Sequence, residues 1–393
     1  MDLKSESFEL LDLLVSTPSI NPGEKRPYKT PYGEKEVGKK LLSYLQTKFP
    51  NLSCWKEEVL PDRFNIYAHY VRGKDYPTIL LETHLDTVDV KEMVIEPFTL
   101  IETEGKWYGR GSCDAKGQIT AMLIGLKKAL VEGNGQLPVN IVFAAVVDEE
   151  HRHRGVDDLV KGSINADLAI VGEPTELQFG AFHKGSIRFE LSTTGKSVHS
   201  STPWKGDNAI EKMSDVIQIL KHDIRKMVEN ITHPLCGKSS VSVTLIQGGE
   251  QVNIIPNKCS IHIDRRLNPQ EQWQEALNTI KETVKLRVSS AIWNDLIWHD
   301  PYLIDPPLSN NLSSKGLQAL KRVMEKINSN YDFVGLQYGC DASKIAEHHI
   351  PTVVFGPGSI DQAHTNDEWI DIDELLYAID IYSKVFLTIS FNR

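Results

Sequence analysis

VNIVFAAVVDEE, residues 139–150, runs a stretch rich in β-branched and aliphatic residues straight into three carboxylates, Asp148, Glu149 and Glu150. A continuous apolar run of this kind reads as a strand buried on both faces, the pattern of a parallel sheet. Three more runs share the texture, Thr78 to Leu81, Asp167 to Val171 and Pro351 to Phe355, and each is followed closely by polar, often acidic residues. Helical patterns separate them, the clearest being Ile119, Met122, Leu123, Leu126 and Leu130 at helix spacing. Strands alternating with helices predict an α/β fold, a largely parallel sheet with helices on both faces, which binds ligands at the carboxyl ends of its strands.

Residues 183–303 have another texture. Strands are expected at Ile187 to Thr193, Val241 to Gln247 and Ser260 to Leu267, with helices at Ala209 to Val228 and Gln270 to Leu286. This β-α-β-β-α order predicts an inserted α+β two-layer domain, leaving residues 1–182 and 304–393 for the main one, with a helix at Ser313 to Ile327. A chain of 393 residues is longer than one core usually grows, which agrees with two domains.

Composition narrows the classes. Hydrophobic residues at 40% and charged residues at 24% are ordinary for a globular protein. The formal net charge of -10 argues against nucleic acid as the main partner. The five cysteines are scattered and never spaced C-x-x-C, so a reducing compartment is expected rather than a disulfide framework. The first residues, MDLKSESFELLDLLVSTPSINPG, are acidic where a signal peptide is basic, and Phe8, Leu11, Leu14 and Val15 read as an amphipathic helix. No window is long and apolar enough to span a membrane, and a cytoplasmic location is expected.

The ends of the buried runs carry the chemistry. His84 and Asp86 follow the first, where a carboxylate two residues from an imidazole can fix its tautomer. GRGSCDAKG, residues 109–117, is a glycine-rich turn in which Asp114 is either a helix N-cap or a ligand. It matches neither the Walker pattern nor Gly-x-Gly-x-x-Gly. Glu149 and Glu150 close the strand at 139–147, and clustered acids there demand cations, protons or water between them. His151 and His153 read as solvated loop residues, because Arg152 and Arg154 beside them repel cations. Glu173 and His364 lie just past the last two runs. Together these form a two-histidine, multi-carboxylate set suited to zinc, cobalt or manganese.

With ETHLDTV (82–88), GRGSCDAKG, DEE (148–150), VGEPTE (171–176), GKSVHSSTP (195–203), NIIPNKCSIHIDRR (253–266) and GPGSIDQAHTNDEW (356–369) in this order, the chain resembles the dinuclear zinc amidohydrolases and metallopeptidases. That family includes acetylornithine deacetylase, succinyl-diaminopimelate desuccinylase, aminoacylase and carboxypeptidase G. IVGEPTEL, FHKGSI and GPGSI followed by Gln-Ala-His are most similar to acetylornithine deacetylase. The resemblance implies two Zn2+ per subunit, replaceable by Co2+ or Mn2+, one held by His84 and Glu173, the other by Glu150 and His364, with Asp114 bridging. It implies that Asp86 orients His84, that Glu149 is the general base beside a zinc-bridged hydroxide, and that His199 polarises the substrate carbonyl. Asn253 and Arg266, with Lys184 and Gly358 as weaker candidates, would bind the substrate; the structural alternatives are a turn cap for Asn253 and an ion pair for Arg266.

The implied substrate is a small-molecule N-acyl amino acid, and the implied assembly a homodimer through the inserted domain, which would also act as a lid. Two rival readings remain: a dipeptidase or carboxypeptidase of the same family, and a non-catalytic binding protein, which the retention of Glu149 and every proposed ligand opposes. Two departures bear on specificity, the long charged stretch GEKRPYKTPYGEKEV at 23–37 and Asp341, where some deacetylases carry glutamate.

Overall fold

The computed structural model describes residues 2–24, 31–162, 164–329 and 331–391. Residues 25–30 of the charged stretch lie outside the described residues; Lys35 opens the helix Lys35–Lys48. The chain divides into two units, Met1–Ala181 with Asn310–Val334 and Cys340–Arg393, and Phe182–Ser309 with Gly335–Gly339.

The main sheet has the strand order Ser53–Leu60, Arg63–Tyr70, Asn140–Val146, Thr78–His84, Leu168–Val171, Thr352–Val354, Gly180–His183, Val334–Leu336. Its four central strands, Asn140–Val146 to Thr352–Val354, pair in parallel. The Ser53–Leu60 and Arg63–Tyr70 hairpin adds antiparallel on one side, and Gly180–His183 adds antiparallel on the other. Every residue of Asn140–Val146 is buried, which is why this segment reads as continuously apolar.

Helices cover both faces. Leu3–Val15, Lys116–Glu132 and Ile372–Thr388 pack together, while Arg154–Lys161 and Ala342–Glu347 form another group on the strands. Register then places the chemistry. His84 pairs with Val146, Glu82 with Val171, and Val354 also with Val171, so the parallel strands end at one rim. His84 ends its strand at that rim, and the segments after the other strands hold 148–150, Glu173 and the 356–364 turn.

The second unit contains an antiparallel sheet in the order Ser240–Gly248, Lys258–Leu267, Gly185–Thr194, Leu296–Trp298, with Leu303–Asp305 also on Gly185–Thr194. Ile187, Phe189 and Leu191 alternate with Arg188 and Glu190, and Ile261 and Ile263 alternate with His262 and Asp264. The apolar set packs with Met213, Val216, Leu277 and Ile280 of the helices Ala209–Ile219 and Trp273–Arg287. Period-two burial on the strands and a helical stripe above them give two layers. The two short strands 296–298 and 303–305 go beyond the β-α-β-β-α order read from the sequence.

Candidate metal centre

His84 ends its strand almost wholly buried. Its Nε2 lies 2.9 Å from Asp114 Oδ1 and 3.8 Å from Glu173 Oε1. His364 Nε2 lies 3.2 Å from Asp114 Oδ2 and 3.0 Å from Glu150 Oε1. The two carboxylate oxygens of Asp114 therefore face two different sets of donors, His84 with Glu173 and His364 with Glu150. In each set the donor atoms lie within 4.8 Å of one another, the spacing that ligands take around one ion. Glu149 adds a carboxylate beside His84 and Glu150. These donors fit a pair of divalent cations: oxygen and imidazole nitrogen, no sulfur, and one carboxylate placed to serve both ions.

Asp114 does not cap the helix Lys116–Glu132; Ala115 takes that position, with no side-chain cap bond. The turn that carries Asp114 is built on Glu368, a residue the sequence reading passed over. Its buried carboxylate accepts the N–H groups of Gly111, Cys113 and Asp114 at 2.8 to 2.9 Å, and Arg110 donates to it at 2.8 Å. Gln118 donates to Cys113 O and Pro357 O, tying this turn to the loop leading to His364. Glu368 stands four residues after His364 in the same quoted motif, but nothing in its spacing says that its partners are backbone amides 254 to 257 positions earlier.

Asp86 is fully buried and serves two segments. His84 Nδ1 is 3.6 Å from its carboxylate and 2.9 Å from its carbonyl. The carboxylate accepts the N–H groups of Glu149 and Glu150 and the amide of Asn21. Burial by itself would push Asp86 up, but the bonds from His84 and Asn21 outweigh it and bring the carboxyl down to about 2. Behind it, Asp148 sits at a left-handed φ of 70°, bound by Asn21, Arg63 and Arg154.

Electrostatics point the same way as geometry. Burial pushes Glu149, Glu150 and Glu173 up, and their negative neighbours add to it. Burial opposes a proton on His364, yet Asp114 and Glu150 pull it up to about 11. Hydrogen bonds outweigh burial at two more groups: those from His364 and His84 hold Asp114 low, and those to Asp114 and Asp86 hold His84 high. The potential at this point favours positive charge, and divalent ions supply more of it than protons do. His84, Asp114 and Glu173 are buried while the His364 side chain is 49% exposed, so the centre opens on the His364 side.

The model of the family described as peptidase family M20/M25/M40 matches residues 80–388. The chain belongs to peptidase family M20/M25/M40. As a member of the M20 family it is a metal-dependent hydrolase. An acetylornithine deacetylase of Proteus mirabilis (strain HI4320) is 30% identical over 381 residues, covering 95% of this chain and 94% of the relative. A probable carboxypeptidase of Aspergillus flavus is 28% identical over 403 residues, covering 95% and 87%. Among solved structures, the M20 metallo-carboxypeptidase Sso-CP2 of Sulfolobus solfataricus superposes with a TM-score of 0.76 at 19% identity over 99% of both chains. YXEP of Bacillus subtilis, described as a dinuclear metal binding peptidase of the M20 family, gives 0.68 at 17% identity, covering 98% of this chain and 99% of that one.

His153 corrects the sequence reading. It is buried, with Nδ1 2.7 Å from Asp341 Oδ1 and 3.8 Å from Glu149 Oε1. The neighbouring arginines do not repel a cation there, because Arg154 pairs with Asp148 and Arg152 with Glu24. His151 is half-buried and lines a cleft of about 470 Å³ with Asn21, Glu24, Asp89 and Glu150.

The remaining candidates lie in the second unit, apart from Gly358. His199 and Asn253 are exposed neighbours: His199 bridges Ile254, and Ser200 N–H donates to Asn253 O. The Ser201 N–H donates to His199 Nδ1, so a neutral ring carries its proton on Nε2. Arg266 is engaged by Asp264 at 2.9 and 3.3 Å, the ion-pair alternative. Lys184 Nζ donates to Lys238 O at 2.7 Å. Gly358 has φ 85°, and a Cβ there would stand 2.5 Å from Cys113 Sγ, a backbone reason for glycine. No described helix is long and apolar enough to cross a membrane.

Proposed function

We propose that the protein hydrolyses the amide bond of an N-acyl amino acid, in the manner of an acetylornithine deacetylase or succinyl-diaminopimelate desuccinylase, with zinc as the metal. The observation that carries this reading is Asp114, whose two oxygens face separate donor sets with Glu149 beside them. The relatives named acetylornithine deacetylase, matched along almost the whole chain, support the deacylase choice.

In this reading His84 and Glu173 would hold one ion, Glu150 and His364 the other, and Asp114 would serve both. Two zinc ions, when bound, supply Lewis acidity and bring the pKa of water towards neutrality. Glu149 takes the proton from the attacking water and delivers it to the leaving amine. Burial and acidic neighbours already raise its proton affinity, which suits a base that must later act as an acid. Asp86 keeps His84 in one tautomer and braces the Glu149–Glu150 backbone. His199 offers its Nε2–H to the substrate carbonyl, and Asn253 offers an amide to the substrate's polar groups. Arg266 and Lys184 would have to leave their present partners to do so, and Gly358 contributes shape. Action as a homodimer through the second unit, in the cytoplasm, belongs to the same reading, and sedimentation of the active enzyme tests the dimer.

The deciding experiment is a substrate panel of N-acetylornithine, N-succinyl-diaminopimelate and dipeptides with the zinc-loaded enzyme. Turnover of the acyl amino acids is expected; turnover of peptides alone would establish instead the peptidase reading that the Aspergillus flavus relative's name suggests. In parallel, Glu149→Ala is expected to retain metal while kcat falls by about a hundredfold to ten-thousandfold. Asp114→Ala is expected to lose the metal itself, read by elemental analysis.

A further inference from the structure

Nothing in the metal-ligand set accounts for the conformation of Glu149. Its backbone N–H is held by Asp86, but among the described residues no side-chain hydrogen bond holds its carboxylate. A freely rotating glutamate would spend part of its time away from any reacting proton, and a misplacement of about 1 Å can cost on the order of a hundredfold in rate.

The turn after Glu149 brings in a partner. Arg152 and His153 both donate their N–H groups to Asp148 O, which closes the chain on itself within six residues, 148–153. His153 then takes a left-handed φ of 57°, a conformation histidine tolerates better than most residues. The imidazole is thereby directed back beside Glu149, at 3.8 Å from Oε1, and is 11% exposed. Its Nδ1 stands 2.7 Å from Asp341 Oδ1. A carboxylate oxygen accepts, so the ring donates from Nδ1. Asp341 is itself almost fully buried, immediately before the helix Ala342–Glu347. A ring fixed by a buried carboxylate forms a rigid wall of positive polarity along one side of Glu149.

We infer that His153, held by Asp341, is a positioning residue that keeps the Glu149 carboxylate in its working orientation. The inference rests on Glu149 being the base, as proposed above. It gives Asp341 a role paired with a histidine, where the sequence alone showed only an aspartate in place of a glutamate.

The zinc-loaded full-length enzyme tests this through His153→Ala, His153→Asn, Asp341→Asn and the His153→Ala/Asp341→Asn double variant. In His153→Ala kcat is expected to fall by about a hundredfold, with KM within about threefold of the parent and metal content unchanged. His153→Asn places an amide N–H where Nδ1 stands and is expected to recover most of that loss. Asp341→Asn should lower kcat comparably, and the double variant should fall little further, because both act through one ring. Parental kcat in His153→Ala, an equal loss in the Ala and Asn variants, or loss of metal would each overturn the inference. Should His153→Ala not fold, Asp341→Asn against His153→Asn decides it: the first impaired and the second near parental is the expected result, and the reverse overturns it. Glu149→Ala run alongside separates the two claims. If it keeps a near-parental rate, the base assignment fails; if it is inactive while His153→Ala is normal, only the positioning role fails.

Discussion

Glu368 touches none of the donor atoms of the centre, yet three backbone N–H groups of residues 111–114 and the guanidinium of Arg110 converge on its carboxylate. Removing it leaves Arg110, only 3% exposed, as a buried charge without its carboxylate partner. Glu368→Ala is therefore expected to cost about 3–5 kcal/mol in denaturant unfolding. It should also weaken metal binding in calorimetry, since the Asp114 turn loses its organising acceptor. Glu368→Gln keeps the shape and part of the hydrogen bonding, and should cost less. At this scale the sequence showed the donors but not what holds them. A histidine or glutamate at a strand end is visible as a residue type in a pattern, whereas Glu368, Asn21 and Arg63 act through partners distant in the chain, and no local pattern marks such a pairing. His153 failed for a related reason. Its arginine neighbours looked like competing charges until each was seen paired to an acid.

Among elements, the helix Lys116–Glu132 illustrates how local preference and packing disagree. Gly117 lies in its first turn, where alanine would improve intrinsic helix propensity by about 1 kcal/mol. A Cβ at that position, however, would stand 2.3 Å from Ser112 O and 2.7 Å from the Ile370 side chain. The first of these is backbone of the Asp114 turn and cannot yield without moving the turn. The clash outweighs the propensity, so Gly117→Ala is expected to lower Tm and to loosen metal binding together, measured by calorimetry and by retention of metal on dialysis. Long buried strands and amphipathic helices were legible because their period is local. The short strands at 296–298 and 303–305 were not, since three-residue pairings are set by the neighbour, Gly185–Thr194, rather than by their own composition.

For the whole molecule, the centre couples metal to folding. Glu150 and Glu173 are raised by burial first and by Asp114 next, which means the folded protein without metal carries unfavourable crowding of acids. Cations relieve it, so chelation is expected to abolish turnover and lower Tm, with both restored by zinc, cobalt or manganese. The sign with pH follows. Carboxyls with raised proton affinity take up protons at a higher pH than usual, and each proton competes with metal. Metal affinity should therefore fall as pH is lowered, and should begin to fall above the ordinary carboxylate range. A titration of metal binding against pH that stayed flat down to that range would contradict this account.

The sequence by itself determined the class of fold, the runs along the chain that become the donor-bearing strands, and the identity of the residues offered at their ends, because apolar periodicity and residue chemistry are written locally. Only the tertiary structure decided that His84 and His364, 280 positions apart in numbering, face opposite oxygens of one aspartate. It also decided that Glu368 and the His153–Asp341 pair stand around them. The physical reason is that a parallel sheet aligns strand ends by register across long crossovers. The distances between side chains of separate strands are set by that alignment, and no segment read alone contains them.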